Sequence, residues 1–335
     1  MRGLDRRSFL GVSAGALAAG LVSSAWAGRR APGREPRGTF FTWHELRPGV
    51  HAAVDGSLGG NSLAVVSGSG VLLVDTKFPA FARALAREAA ALGGKLTTIV
   101  NTHHHADHTG GNAVLNAEAE IIAHAQAAER IAGQLGQYAG MARGGPKQVE
   151  MERHGAEEVL TEAQAAAEAA SAWTADDVTP DKSLSEWPHQ LPFGEAEVTL
   201  HHFGAGHTDN DVVVHLPRAN VVHTGDLCFH GLHPFFDPPG GATCRGWSES
   251  VARIIELCDG DTVVVPGHGE LTDRTGLGAQ KRYLDALWEH VSEEVAAGKS
   301  KEEVSAMRWG FMDGLGRDQL RPRAIGAVYD EVRGS

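Results

Sequence analysis

Short apolar runs separated by glycine turns mark the chain from about residue 40 onward. "GVHAAVD" (Gly49–Asp55) is a first strand signal. "NSLAVVSGSGVLLVDT" (Asn61–Thr76) holds two β-branched runs around Ser67-Gly68-Ser69-Gly70 and predicts a hairpin turned there. "PAFARALAREAAAL" (Pro79–Leu92) carries Ala, Leu and Arg at helical spacing, and Gly93-Gly94 stops that helix. "LTTIV" (Leu96–Val100) is a β-branched strand. From 124 to 175 Ala, Glu and Gln dominate; this predicts a helical insertion, with "GMARGGP" (Gly140–Pro146) as a flexible break. Strand signals resume at "EVTLHHF" (Glu197–Phe203), "DVVVHL" (Asp211–Leu216) and "NVVHT" (Asn220–Thr224). A helix is expected from about Gly246 to Leu257, a last strand at "DTVVVP" (Asp261–Pro266), and helix again over 273–307 before a mixed tail. No short repeat is present. Two halves, each of strands followed by helices, predict two packed sheets with helices outside.

Composition narrows the class. The 335 residues allow one large domain or two ordinary ones, and 42% apolar residues is a globular composition. A net charge of −12 without any Lys/Arg-rich run disfavours a nucleic-acid partner. At the N-terminus Arg6-Arg7 precede Phe9-Leu10, a Gly/Ala-rich apolar run and Ala25-Trp26-Ala27. Residues 1–27 therefore resemble a twin-arginine export signal with a small-residue cleavage site. The competing reading is a membrane anchor, which the scarcity of Leu and Ile in the run argues against. Residues 28–38, "GRRAPGREPRG", read as a linker, and 39–335 as the domain proper. No later segment is apolar enough to span a bilayer. The expected product is a soluble periplasmic or secreted protein, not stably inserted in membrane. That export route carries folded proteins, which suits a protein that takes up its metal before leaving the cytoplasm. Cys228, Cys244 and Cys258 lack metal-ligand spacing and read as buried free thiols; one disulfide stays open as the alternative, since an odd count leaves a thiol over. Oligomeric state leaves no trace in the sequence.

The chemistry gathers where strands end. "LTTIV" runs into "NTHHHADHTGG" with His103, His105, Asp107 and His108. "EVTLHHF" leads to His207, "NVVHTG" to Asp226 and "TVVVPG" to His268. Four strands each deliver a His or Asp just past their C-terminal end, where loops rest on a rigid scaffold. In extended chain, side chains at i and i+2 point the same way, so His103 and His105 can aim at one ion while His104 turns aside. Asp107 and His108 can then address a second ion. Imidazole and carboxylate are ligands that Zn²⁺ accepts, and Asp226, with two oxygens, is the candidate bridge.

"HHHADH" fits H-x-H-x-D-H as His103-x-His105-x-Asp107-His108. Together with "GHTDND", "TGDLCF" and "PGHG", it makes the chain resemble the metallo-β-lactamase-fold hydrolases from about Phe40 to at least Asp273. The resemblance implies an α/β fold, an αββα sandwich of two mixed sheets, holding two zinc ions. It implies that His103, His105 and His207 bind the first ion, that Asp107, His108 and His268 bind the second, and that Asp226 bridges. Asp75 in "LLVDT" matches a strand-end aspartate that supports the ligand loop. The implied reaction is attack of a metal-bound hydroxide on a carbonyl, with Asp107 holding the nucleophile and passing on a proton.

Asp226 stands where the Cys-ligand β-lactamases of the family place cysteine, and Phe229 where they place a substrate-binding lysine. Both departures favour an ester, thioester or lactone substrate, as in the glyoxalase II-like members, over a β-lactam. An alternative from another class is a persulfide-dioxygenase-like protein with one iron on His103, His207 and Asp226. A metal-binding accessory protein without hydrolysis is a third. Of the 18 histidines, those outside the constellation are read as non-ligands, His104 as structural or solvent-facing, and His230 and His233 as alternatives for the pocket lining. Trp173, Trp187 and Trp247 read as core or surface anchors, and Cys228 as a weak alternative ligand. Substrate selectivity is expected in the loop after Asp55, in 124–175 and in 229–247, none of which carries a readable motif for a small-molecule partner.

Overall fold

The computed structural model describes residues 40–55, 58–152 and 156–334. The proposed signal and linker, residues 1–38, lie outside the described residues, as do residues 56 and 57 of the loop after Asp55, and His154.

Among the described residues twelve strands form two sheets. The first is the meander β1 (Trp43–Arg47), β2 (Val50–Ala53), β3 (Ser62–Ser67) and β4 (Gly70–Val74), extended in parallel by β5 (Leu96–Val100), β6 (Glu120–His124) and β7 (Lys182–Leu184). The second comprises β8 (His189–Phe193), β9 (Ala196–His201), β10 (Val213–Leu216) and β11 (Val221–His223), antiparallel in turn, with β12 (Val263–Val265) parallel to β11. Because β10 is antiparallel to both β9 and β11, the strands β9, β11 and β12 all run the same way.

The alternation of side chains along each strand builds three layers of core. Leu63, Val65, Leu72, Val74, Val100 and Ile122 of the first sheet meet Leu200, Val214, Val221, Val263 and Val265 of the second between the sheets. Their neighbours Ala64, Val71, Leu73, Ile99 and Ile121 point outward onto Phe81 and Leu85 of the helix Pro79–Ala91. On the far side Val213, Val222 and Val264 pack on Trp247, Val251, Leu284 and Leu287 of the helices Cys244–Leu257 and Arg274–Ala296. Burial on both faces is why these strands read as unbroken apolar runs. Each fully buried Val or Leu contributes about 1.5–3 kcal/mol. The result is the two-sheet sandwich with helices outside that the strand order predicts.

One local expectation fails. Residues 140–146 are not a break: a single helix runs Leu135–Glu152 with Pro146 inside it. Tyr138, Ala142, Gly145 and Val149 recur at helical spacing and are buried. Gly145 is needed for contact rather than for flexibility, since a Cβ there would come within 2.6 Å of Ala80 Cβ. Tertiary packing overrides the poor helix propensity of the stretch. No helix among the described residues is long and apolar enough to cross a membrane.

Candidate metal centre

The four strand ends converge. After β5 the chain bends through Thr102–His104 and is extended again at His105, the N-cap position of the short helix Ala106–Thr109, which carries Asp107 and His108. A loop after β9 brings in His207. After β11 the single-turn 3₁₀ helix Gly225–Leu227 presents Asp226, and Gly267-His268 follow β12. Gly267 has no room for a side chain, because a Cβ would fall 1.9 Å from Asp226 Oδ1.

Among the described residues these side chains form two ligand groups, and His104 and Asp237 make a third cluster that shares His105 with the first. In the first, His105 Nδ1 stands 3.1 Å from His103 Nε2 and 3.0 Å from His207 Nε2. Asp226 Oδ2 completes this group at 3.9 Å from His103 Nε2 and 3.5 Å from His207 Nε2. In the second, Asp107 Oδ2 lies 3.0 Å from His268 Nε2 and 3.6 Å from His108 Nε2. Asp226 joins both, with Oδ2 3.4 Å from His268 Nε2 and Oδ1 3.1 Å from His108 Nε2. The atoms of each group lie within 4.8 Å of one another, as ligands around one ion do.

The electrostatics are those of a site built for cations. Burial alone would push Asp226 up, yet His268 and His108 hold its carboxyl well below the usual carboxylate range. Burial opposes ionisation of Asp107 too, and His108 and His268 keep it low. Burial, joined by the charge of His108, lowers His103 well below an ordinary histidine, and burial lowers His207 to about 3, so both rings are neutral with a lone pair to give. His108 and His268 go the other way: burial disfavours the charge of each, but Asp226, Asp107 and Asp75 raise His108 well above the usual value, and Asp226 and Asp107 raise His268. Meanwhile His108 Nε2 and Asp226 Oδ1, both buried, face each other without hydrogen-bond geometry. Buried polar atoms left this way are costly unless something else binds them. The residues present therefore fit a pair of divalent cations.

A surrounding shell fixes the rings. Asp75 Oδ2 accepts from His108 Nδ1 at 2.7 Å, so that Nε2 is turned inward. Thr102 donates to both oxygens of Asp75 at 2.8 Å, through its N–H and its hydroxyl, and that hydroxyl meets His103 Nδ1 at 3.1 Å. Asp237 Oδ2 accepts from His105 Nε2 at 3.0 Å, which leaves Nδ1 as that ring's inward lone pair. Lys77, fully buried, donates to Gly60 O at 2.6 Å and holds the Leu58–Asn61 loop against His108; burial lowers its ammonium to about 8 despite Asp55, Asp75 and Asp107. Neither Asp237 nor Lys77 is marked by a sequence motif. Asp237 lies in the 229–247 loop, 132 residues from His105, and only the fold brings the two together.

The remaining expectations sort plainly. His104 is buried and structural: its N–H donates to Asn210 Oδ1, and its Nδ1 accepts from Asn210 Nδ2, each at 3.0 Å. His233 is buried against the Tyr283 hydroxyl and His230 is bound to Glu270 O, so neither belongs to a ligand group. Trp247 is a core anchor that donates to Leu227 O, with its ring 5.0 Å from that of His207. All three cysteines are buried free thiols, and burial pushes Cys228 up to about 12, unsuited to a thiolate ligand.

Comparison with known proteins agrees with this geometry. The profile of the Metallo-beta-lactamase superfamily matches residues 55–268. The metallo-beta-lactamase type 2 of Bacillus cereus is 26% identical over 219 residues, 64% of this chain and 68% of that protein. A hydroxyacylglutathione hydrolase of Rhodospirillum rubrum is 46% identical over 57 residues, 16% of this chain and 22% of that one. Among solved structures, the stereoselective inverting sec-alkylsulfatase Pisa1 of a Pseudomonas species aligns with a TM-score of 0.61 at 18% identity. That alignment covers 87% of this chain and half of the alkylsulfatase. The chain belongs to the metallo-beta-lactamase superfamily of metal-dependent hydrolases.

Proposed function

We propose that the protein is a hydrolase that holds two divalent ions, zinc above all, and cleaves a carbonyl ester, thioester or lactone. The observation that carries this reading is Asp226, one carboxylate shared by both ligand groups. His103, His105 and His207 would hold one ion and Asp107, His108 and His268 the other, with Asp226 between them. Zinc so bound supplies a Lewis acid and a water acidic enough to act as a nucleophile at neutral pH. The chain does the rest. Asp107 is the most exposed carboxylate of the two groups, at 25%, and is placed to take the proton of an attacking water and pass it on. Asp75, Thr102 and Asp237 keep the rings in one tautomer and orientation. Trp247 and Phe229 wall the His207 side with apolar surface.

The substrate preference rests on Asp226 and Phe229, which replace the cysteine and lysine that Cys-ligand β-lactamases use. A β-lactam substrate is the second reading. It is favoured by the longer of the two sequence matches, to the Bacillus cereus enzyme. A panel of lactones, thioesters, β-lactams and phosphodiesters with the zinc-loaded protein separates them. Turnover confined to β-lactams would overturn the first reading. One iron per chain with oxygen consumption would overturn both in favour of a dioxygenase. Twin-arginine export to the periplasm remains part of the proposal; an Arg6→Lys, Arg7→Lys variant retained in the cytoplasm would support it, and unaltered export would not.

A further inference from the structure

The helical insertion reaches the metal centre through His104, a histidine outside the two ligand groups. The helices Ala125–Gly133 and Leu135–Glu152 meet at Gln134. Arg130, Gln134 and Tyr138 follow one another at intervals of four, the spacing of one helix face. Gln134 Nε2 donates to His104 O at 3.1 Å, and the Tyr138 hydroxyl lies 3.4 Å from the same oxygen. The Thr109 hydroxyl gives its proton to His105 O at 3.0 Å, so Tyr138 is the donor in the 2.7 Å contact between the two hydroxyls. The carbonyls on both sides of the His104–His105 peptide are thereby tied to the insertion.

Arg130 acts on the other side of His104. Its Nε donates to Asp209 Oδ1 at 3.0 Å, its Nη2 pairs with Asp209 Oδ2, and its Nη1 donates to Pro239 O at 2.9 Å. Asp209 Oδ1 accepts from Asn210 Nδ2 at 2.8 Å, and Asn210 in turn holds the N–H and the ring of His104, each at 3.0 Å. The N–H, ring and carbonyl of His104 are all held by hydrogen bonds that lead to the insertion. His103 and His105 flank this residue in the chain, so a shift of His104 moves two members of the first group together. The second group is anchored separately. Asp75 holds His108 Nδ1 at 2.7 Å, Gly60 N–H donates to Asp107 O at 3.0 Å, and Thr76 N–H donates to His108 O at 2.7 Å. Tyr138, Asn210 and His104 are buried, so a lost donor there leaves an acceptor without a ready substitute from water.

We propose that Arg130, Gln134 and Tyr138 are positioning residues that set the geometry of the first ion through His104. This rests on the reading of the two ligand groups as ion sites. The test is titration of the metal-free protein with cobalt(II), a substitute for zinc whose visible absorption follows the geometry of its ligands. The parent binds cobalt in two steps. The double variant Gln134→Met, Tyr138→Phe weakens one step about tenfold or more, alters the absorption of that step and leaves the other within about twofold. The weakened step is the one that Asp237→Ala also weakens. Gln134→Met alone, which leaves the Tyr138–Thr109 contact in place, acts on the same step to a smaller degree. Arg130→Met weakens that step too, and Arg130→Lys, which keeps the charge but not the planar fork, recovers part of the loss. Urea unfolding of each metal-free variant is measured beside the titration. A lowered stability with both steps and the absorption as in the parent is the result of a merely structural role, and it ends this proposal alone. Equal weakening of both steps ends it as well. A parent that binds no cobalt ends the reading of the two groups as ion sites, and this proposal with it.

Discussion

Asp75 Oδ2 accepts a hydrogen bond from His108 Nδ1 at 2.7 Å while the same carboxylate, through the Thr102 hydroxyl, reaches His103 Nδ1. One buried carboxylate thus orients a histidine in each ligand group. Asp75 is itself held at φ 64, a left-handed conformation that Asp tolerates better than most residues. Replacing Asp75 with Ala is expected to lower zinc affinity about 10–100-fold, measured by competition with a chromophoric chelator. Affinity equal to the parent's would show that the rings need no such support.

Asp237 does for His105 what Asp75 does for His108. Its removal lets the imidazole exchange tautomers and lose its inward Nδ1 lone pair. In Asp237→Ala the first ion should bind about tenfold or more weakly while the second is retained. Stepwise zinc titration reads the two events apart, and simultaneous weakening of both would contradict the assignment of Asp237 to one group.

Gly60 is where backbone meets ligand. A Cβ at this position would fall 2.1–2.7 Å from three atoms of the His108 ring. Gly60→Ala must therefore displace His108, because the glycine is tied on both sides, with its N–H on Asp107 O and its carbonyl on Lys77 Nζ. The expected product is a folded protein with the second ion lost and the first kept. Two ions per chain in that variant would refute the packing argument.

Much of this was legible from the sequence, for a physical reason. Strands such as β11 and β12 are buried on both faces, so they write themselves as apolar runs, and the candidate ligands Asp226 and His268 follow three residues past their ends. Asp237 and Gly60 left no such mark. They meet His105 and His108 across long stretches of chain, and no local pattern encodes a contact made by folding. Gly140–Pro146 shows the converse: a stretch with every local sign of a break is helix because Gly145 lets Ala80 come close.

Acid should act on this fold away from the metal site as well. His124 caps the helix Ala125–Gly133 by accepting from Gln126 N–H at 3.1 Å, which needs an unprotonated Nδ1. Burial, with His202 beside it, lowers its pKa to about 4 from an ordinary 6.5. The folded state binds this proton less readily than the unfolded chain does. The stability His124 provides is thus complete above about pH 6.5 and is lost as the pH falls towards 4. His124→Asn keeps a capping oxygen that does not titrate. The parent's advantage over this variant in urea unfolding of the metal-free proteins should shrink between pH 6.5 and 4. An advantage constant across that range would contradict the argument.

The central claim is a two-ion centre joined by Asp226, and metal stoichiometry tests it most directly. Elemental analysis of the folded protein, after equilibration with zinc and removal of the excess, should give two zinc ions per chain for the parent and fewer than one for Asp226→Ala. A parent holding a single ion, or an Asp226→Ala variant that still holds two, would contradict the account.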